Sequence, residues 1–344
     1  MSRVLRMLFF LFLASTLIGL VRADRGMIPV SVEASIYEPG QKAILAWNGQ
    51  EEIMILSTDV SSSKETLVLE ILPLPSQPTV EAAGFESFTE IQMLMLREGL
   101  SVGYWSSEDE AQSRGVEIVF HEEIGAHNIS VVRSTDTQEL VSWMNDFLEQ
   151  SGVDEETTLL DFESAVQDYM KRGYRYYVLD LITVSQEKRS VDPILYRFNS
   201  SFLYYPLVIT APVGGETQIT LFLITEGKPQ GSFFPLSRAQ YFTEGSWKRI
   251  EFLLSVGDLA GIDIRIAEMF EDGAWLSVLK YDGEMKLLTK DLIISDVLPL
   301  YGLKGNDSAL LPSLFAVGIL LGSAATLAGV LLTLLTTRER KPQN

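Results

Sequence analysis

The chain contains two histidines, His121 and His127, and both fall in one short segment with Glu122. Imidazole and carboxylate groups are zinc ligands, but a zinc-binding helix carries its histidines four residues apart, so that both reach one ion. Here the spacing is six, with Gly125 between them, and the surrounding pattern predicts strand, turn and strand. We therefore predict no metal site, although a loop could still bring His121, Glu122 and His127 together as ligands.

Nucleophilic catalysis has little support in the sequence. The chain has no cysteine, which excludes disulfides, thiolate nucleophiles and cysteine-ligated metals. It has no G-x-S-x-G motif, and two histidines leave few ways to build a Ser-His-Asp triad. We predict no catalytic residue and no cofactor.

Paired carboxylates are the other source of chemistry. They occur as Glu51-Glu52, as the run 154–156, and as Asp161 with Glu163. Each could supply the two acids of a glycosidase, which are defined by their separation in space and not by their spacing in sequence. A carboxylate-based extracytoplasmic hydrolase therefore stays open as an alternative function.

Aromatic residues are dense in the segment 174–205. Such side chains can line a groove for a glycan or a peptide, but tyrosines in strands are more often half-buried sheet residues. Both interpretations stay open for this set: Tyr174, Tyr176, Tyr177, Phe198, Phe202, Tyr204 and Tyr205.

The charge of the chain excludes one class of partner. Residues 24–309 hold 45 of the 46 acidic residues and 21 of the 27 basic ones, a net charge of about −24. A surface this acidic repels nucleic acid, so we predict no nucleic-acid binding. The lack of cysteine in so large a domain favours a prokaryotic protein whose core suffices without disulfides.

Both ends of the chain predict membrane targeting. Residues 310–335 are apolar and uncharged, long enough to span a bilayer, and Arg338, Arg340 and Lys341 follow them. The positive-inside rule then places the tail, residues 336–344, in the cytoplasm and residues 24–309 outside. Residues 1–23 resemble a signal peptide cleaved after Ala23, with an uncleaved anchor as the alternative.

Small residues share one face of the predicted transmembrane helix: Gly318, Gly322, Ala325 and Gly329. Such a face lets two helices approach closely, so we predict a homodimer or a membrane-protein partner at this face. Three N-x-[ST] sequons, at Asn128, Asn199 and Asn306, are candidate glycosylation sites.

The order of elements predicts an α+β fold of mostly antiparallel sheets with about three helices in the middle. Asn48-Gly49 predicts a hairpin, and Asp136 predicts a helix N-cap, with Gly173 ending the next helix. Ser87 with Glu90 resembles a capping box. Weaker runs at 250–254, 262–266, 275–281 and 287–288 are interpreted as strands.

The interruption at 227–231 divides the exterior part into a domain at 24–227 and a smaller β-rich subdomain at 228–305, with a stalk at 306–309. Four segments carry a family resemblance over roughly residues 27–226: 41–56, 72–78, 124–143 and 204–207. They resemble the family of predicted secreted, membrane-anchored bacterial and archaeal proteins with domain of unknown function 2330. The resemblance implies a signal peptide, an extracytoplasmic domain and often a membrane anchor, and it supplies no catalytic residues. Members with cysteines near the mature N-terminus differ from this chain.

These features together predict a single-pass cell-surface protein. Its acidic ectodomain would act as a non-enzymatic binding or envelope-structural module, with extracellular proteins or glycans as partners. Besides the hydrolase, a second alternative is an accessory subunit of a membrane complex, docked through the Gly318/Gly322 face.

Overall fold

The computed structural model describes residues 28–29, 36–62, 65–100, 123–124, 127–151, 160–185, 189–243 and 245–299. Within these ranges there are five α-helices and two 3₁₀ helices. The α-helices are α1 Glu86–Arg97, α2 Thr137–Gln150, α3 Leu160–Lys171, α4 Val256–Ile262 and α5 Ile264–Ala267. The 3₁₀ helices are Val208–Val213 and Met285–Leu287.

Twenty strands are described in the same ranges. In the first half they are β1 Ile28–Pro29, β2 Ile36–Trp47, β3 Glu51–Ser62, β4 Thr66–Leu74, β5 Thr79–Ala82, β6 Glu123–Ile124, β7 His127–Arg133, β8 Tyr176–Val184, β9 Arg189–Ser190 and β10 Ile194–Asn199. In the second half they are β11 Leu203–Tyr205, β12 Glu216–Thr225, β13 Gly227–Pro229, β14 Ser237–Arg238, β15 Gln240–Thr243, β16 Ser246–Arg249, β17 Glu251–Leu254, β18 Ala274–Glu284, β19 Leu292–Ile294 and β20 Val297–Pro299.

Two main sheets organise the fold. A nine-stranded sheet runs β14-β18-β12-β2-β3-β10-β5, with β17 beside β18 and β9 beside β3. A five-stranded sheet runs β1-β4-β8-β7-β6, and three two-stranded ribbons, β11-β19, β13-β20 and β15-β16, complete the described strands. Every pairing is antiparallel except that of β12 with β2. The predicted α+β class with mostly antiparallel sheets is confirmed.

The middle of the nine-stranded sheet is buried on both faces, which explains why the last five residues of β2, 43–47, are apolar without alternation. Leu45 and Met54 face a core shared with the five-stranded sheet, α2 and α3. Ile44 and Ile53 face a second core with α1, α4 and α5. A strand covered on both sides must be apolar at odd and even positions, and residues 43–46 meet that requirement.

Several local predictions are confirmed. β2 and β3 form a hairpin at Asn48-Gly49, where Gly49 has φ +89° and Asn48 Oδ1 accepts hydrogen bonds from the backbone N–H groups of Gln50 and Glu51. Asp136 caps α2 by accepting from the Glu139 N–H at 3.0 Å. Gly173, with φ +98°, follows α3 as predicted.

Other local predictions are wrong. Ser87 does not cap α1, because the helix already begins at Glu86 and Ser87 is buried in its first turn. The run 262–266 is helical and not a strand, because Ser255 and Asp258 form a capping box and Asp263 caps α5. Residue 287 ends a 3₁₀ helix. The two short helices α4 and α5 also make the expected total of about three too low.

The subdomain boundary predicted at 227/228 falls inside the nine-stranded sheet. β12, which ends at Thr225, pairs along its whole length with β18, which begins at Ala274. The segments before and after Gly227 therefore share backbone hydrogen bonds and the second core.

The predicted signal peptide at 1–23, stalk at 306–309, transmembrane helix at 310–335 and tail at 336–344 all lie outside the described residues. Among the residues that are described, none of the helices is long and apolar enough to span a bilayer.

Candidate functional site

The most concentrated group of buried ionisable side chains lies where the two main sheets meet. His127 begins β7, and its Nδ1 atom forms a short hydrogen bond with Asp180 Oδ2 in the neighbouring β8. Its Nε2 atom lies 2.9 Å from the backbone oxygen of Asp192, between β9 and β10 of the other sheet. His127 and Asp180 are 5% and 1% exposed, so the contact is interior and joins both sheets.

The partners of His127 define its protonation. A carbonyl oxygen can only accept, so Nε2 must donate to Asp192, and Nδ1 donates to the carboxylate of Asp180. Burial by itself would lower the pKa of His127, but the hydrogen bond and charge of Asp180, aided by Asp192 and Glu70, raise it above its ordinary value. The geometry therefore fits an imidazolium held between two acceptors.

A second buried carboxylate adds negative charge beside this pair. Glu70 of β4 is directly opposite Asp180 in the β4–β8 ladder, and it is 5% exposed. Like charges at opposed positions repel, and the imidazolium of His127 compensates that repulsion. A cavity about the size of one water molecule adjoins the group and is lined by Thr58, Glu70, His127 and Tyr196, among others.

This arrangement leaves His127 little capacity for catalysis or metal binding. Both ring nitrogens carry a proton directed at an oxygen, so neither offers a lone pair to a metal ion or to a substrate proton. His121 and Glu122, the other two candidate ligands, lie outside the described residues. In the described ranges no three His, Cys, Asp or Glu side chains are grouped to hold a metal ion.

The adjacent carboxylates of Glu51 and Glu52 do not form a catalytic pair. Glu51 forms a two-point ion pair with Arg197, with contacts of 2.8 and 2.7 Å, and this hydrogen bonding lowers its pKa. Glu52 has no exposed surface, its Oε2 accepts from the Tyr204 N–H at 2.7 Å, and burial raises its pKa well above the usual range. Successive residues of a strand point to opposite sides, so one acid is at the surface and the other in the core.

The remaining carboxylate pairs give no paired geometry either. Residues 154–156 lie outside the described residues, as does the side chain of Asp161. Glu163 accepts a hydrogen bond from Gln138 on the neighbouring helix α2, at 3.2 Å.

The aromatic set predicted to line either a groove or a sheet is mainly core. Tyr177, Tyr204 and Tyr205 have no exposed surface, and Tyr174 and Phe198 are buried as well. Tyr204 donates to the Pro73 carbonyl at 3.2 Å and Tyr205 to Gln41 at 2.7 Å. The interpretation of these residues as sheet residues is thus supported over that of a ligand groove.

Another buried carboxylate, Asp291, anchors the C-terminal part of the described chain. Its Oδ1 accepts from the Tyr169 hydroxyl at 2.7 Å and from the Leu207 and Val208 N–H groups at 2.8 and 2.9 Å. Its Oδ2 pairs at 2.6 Å with Arg172, the residue that follows α3, and its side chain is 1% exposed. This carboxylate thereby links α3 and the 3₁₀ helix Val208–Val213 to the loop before β19.

The candidate glycosylation and association sites are spread over the chain. Asn128 is half-buried in β7, whereas Asn199 is exposed at the end of β10. Asn306 and the predicted helix face of Gly318, Gly322, Ala325 and Gly329 lie outside the described residues. These remain predictions.

Two interior acids, Glu70 and Asp180, were missed by the sequence reasoning although a signal was present. Each stands in the centre of an apolar strand, in Leu-Val-Leu-Glu-Ile-Leu and Val-Leu-Asp-Leu-Ile. A carboxylate at such a position must be buried and therefore needs a partner.

The described chain is a mixed, mostly antiparallel two-sheet protein in which the interior carboxylates Asp180 and Asp291 each pair with a basic side chain of another segment. It belongs to the family described as "uncharacterized protein conserved in bacteria" (DUF2330), whose profile matches residues 22–230. The resemblance noted from the sequence is confirmed at the level of the family. No curated protein matches the chain.

Solved structures give distant likenesses. The crystal structure of baculovirus P35 is 10% identical and matches 79% of this chain and 100% of its own, with a TM-score of 0.42. A mutated baculovirus P35 after caspase cleavage is 11% identical over 75% of this chain and 97% of its own, with a TM-score of 0.36. A chain of the caspase-8/P35 complex is 10% identical and matches 74% of this chain and 95% of its own, with a TM-score of 0.36. Scores this low carry no conclusion about this chain.

Proposed function

We propose that this protein is a single-pass cell-surface protein that presents its acidic ectodomain as a non-enzymatic binding or envelope-structural module. The observation that carries the non-enzymatic part is the state of His127. Both of its ring nitrogens are engaged by protein oxygens, Asp180 Oδ2 in one sheet and the Asp192 carbonyl beside the other. The interior charge thus stabilises the fold and is not directed at a substrate.

The positions of Glu51 and Glu52 count against the alternative of a carboxylate-based hydrolase. Glu52 has the raised pKa that a general acid requires, but it has no exposed surface for a substrate to reach. Glu51 is engaged by Arg197. Exterior placement and membrane anchoring are supported by the sequence features at 1–23 and 310–335.

An activity screen of the full chain tests the non-enzymatic part. We expect no turnover of glycosidic or peptide substrates above that of a Glu51→Gln, Glu52→Gln, His127→Gln triple variant. Each of the three replacements is also tested alone. The proposal would be overturned if the wild-type chain turned over a substrate and one single variant abolished that turnover, while circular dichroism and the melting temperature showed this variant to be folded. Glu149→Gln, at an exposed position of α2, is the matched control.

A further inference from the structure

The ribbon of β15 and β16 carries an exposed aromatic pair. Phe242 and Trp247 face each other across the ribbon, with ring centroids 5.4 Å apart, and are 62% and 67% exposed. Phe234, eight residues before Phe242, is 74% exposed. These are the three most exposed Phe and Trp side chains in the described ranges. Ordering two large apolar rings in water is unfavourable unless something covers them.

The ribbon is firmly attached at its base. Ala239 donates to the Val278 carbonyl at 2.8 Å, and Val278 donates to the Ile250 carbonyl at 3.1 Å, so both ends of the ribbon join β18 of the large sheet. Tyr241, on the opposite face of the ribbon from Phe242, packs against the second core. The aromatic pair therefore projects from a rigid support.

The last described strand is linked to the residue that precedes this ribbon. Arg238, just before β15, donates to the Pro229 carbonyl at 2.5 Å, and Pro229 pairs with Val297 of β20, the last described strand. Ten residues then separate Pro299 from the apolar segment that begins at residue 310. A chain of that length extends to about 35 Å at most.

Local charge also distinguishes the ribbon from the acidic remainder. Lys248 and Arg249 lie in β16 and are exposed, and segment 240–249 contains one acid, Glu244, so its net charge is +1. Aromatic rings with neighbouring Lys and Arg are typical of the region where proteins meet lipid headgroups. The acidic surface elsewhere would confine such contact to this ribbon.

From these observations we infer that the exposed face of β15 and β16 that carries Phe242 and Trp247 is a membrane-contact surface, whose two rings enter the headgroup region of the bilayer that anchors the chain. The inference rests on the proposed membrane anchoring. It specifies which face of the ectodomain lies against the lipid. Arg249, two residues after Trp247 and on the same face of the ribbon, would pair with an anionic phosphate group, and that contact would weaken as salt rises.

The chain has no native cysteine, so a single introduced one gives a unique label. Ser246→Cys, beside Trp247, carries an environment-sensitive fluorophore in the full chain reconstituted into phosphatidylglycerol nanodiscs. The matched control is Asp146→Cys on α2, an exposed position of a helix that packs in the other core. At position 246 we expect the emission of the fluorophore to shift to shorter wavelength and to be quenched by lipids that carry a spin label at the headgroup. At position 146 we expect neither effect.

Removing the rings separates insertion from mere proximity. Phe242→Ser with Trp247→Ser, introduced into the Ser246→Cys chain, should abolish the blue shift and leave the melting temperature nearly unchanged, because both rings are largely exposed. If the chain enters nanodiscs but both labels respond alike, or the double variant keeps the shift, the ribbon does not contact lipid. If the chain does not enter nanodiscs at all, the proposed anchoring itself fails.

Discussion

Asp180 accepts a hydrogen bond from His127, and the same imidazole donates to the Asp192 carbonyl of the neighbouring sheet. The two side chains of this ion pair lie 53 positions apart in sequence. One ion pair therefore holds β7, β8 and the large sheet together at a point where Glu70 adds a second buried carboxylate. The stability of the ectodomain should depend on this contact.

Replacing His127 by Ala should destabilise the protein by about 3–5 kcal/mol, because it leaves Asp180 buried without its cation and opposite Glu70. Urea unfolding of the full chain measures the loss. Arg133→Ala, at the exposed end of the same strand, is the control and should change stability by about 0.5 kcal/mol or less. Equal losses in the two variants would show that the buried pair is not stabilising.

The same pair predicts a pH dependence. The pKa of His127 is raised in the folded protein, so its contribution is fully present below the unfolded value of about 6.5 and is lost as pH rises through the folded pKa. The difference in unfolding free energy between wild type and His127→Gln should therefore shrink as pH increases above about 6.5. A difference that grows with pH in this range would contradict the assigned protonation.

Glu51 and Glu52 should respond in opposite directions to replacement by Gln. Glu52→Gln should stabilise the protein at pH 8 and have little effect near pH 3, because the raised pKa of Glu52 makes its burial costly once the solution pH exceeds about 4.3. Glu51→Gln should cost about 1 kcal/mol or less at pH 8, because it removes an ion pair whose contribution is present above about pH 4.3.

Urea midpoints of the two variants at pH 8 and pH 3 test this contrast. Since the residues are neighbours on one strand, each serves as the control for the other. A midpoint for Glu52→Gln below that of the wild type at pH 8 would mean that the buried carboxylate is ionised and favourably held.

Asp291→Ala should be among the most destabilising changes in the second half of the chain, by about 3–5 kcal/mol. It removes the acceptor for one hydroxyl and two backbone N–H groups and leaves Arg172 without its buried partner. Asp168→Ala removes the exposed partner of the same arginine and should cost about 1 kcal/mol or less. Thermal unfolding distinguishes them, and similar melting temperatures would contradict the account.

Local sequence rules predicted the elements whose causes are local. Asn48-Gly49 forms its hairpin because glycine adopts the positive φ that the turn requires, and Asp136 caps α2 through its own carboxylate. The run 262–266 failed because Ile-Asp-Ile-Arg-Ile alternates apolar and charged residues as a half-buried strand does, and the deciding signals were the Ser255-Asp258 box and the Asp263 cap. Ser87 and Glu90 have the spacing of a capping box, but α1 already begins at Glu86, so Ser87 lies inside the helix.

The sequence did not predict which residues of distant strands are in contact. The spacing of His121 and His127 suggested a local ligand set, whereas the partner of His127 is Asp180, on the strand that pairs with β7. Only the sheet register brings those positions together. Glu51 and Glu52 looked like a pair because they are adjacent, and the strand periodicity of two separates their carboxylates.

Labelling of single-cysteine chains in intact bacterial cells tests the central claim most directly. Asp146→Cys, exposed on α2, should react with a membrane-impermeant maleimide, whereas Gln343→Cys should react only after the cells are lysed. The cysteine-free wild-type chain gives the background. This pattern is the result expected of an anchored exterior domain with a cytoplasmic tail. Protection of Asp146→Cys until lysis, or labelling of both positions in intact cells, would contradict it.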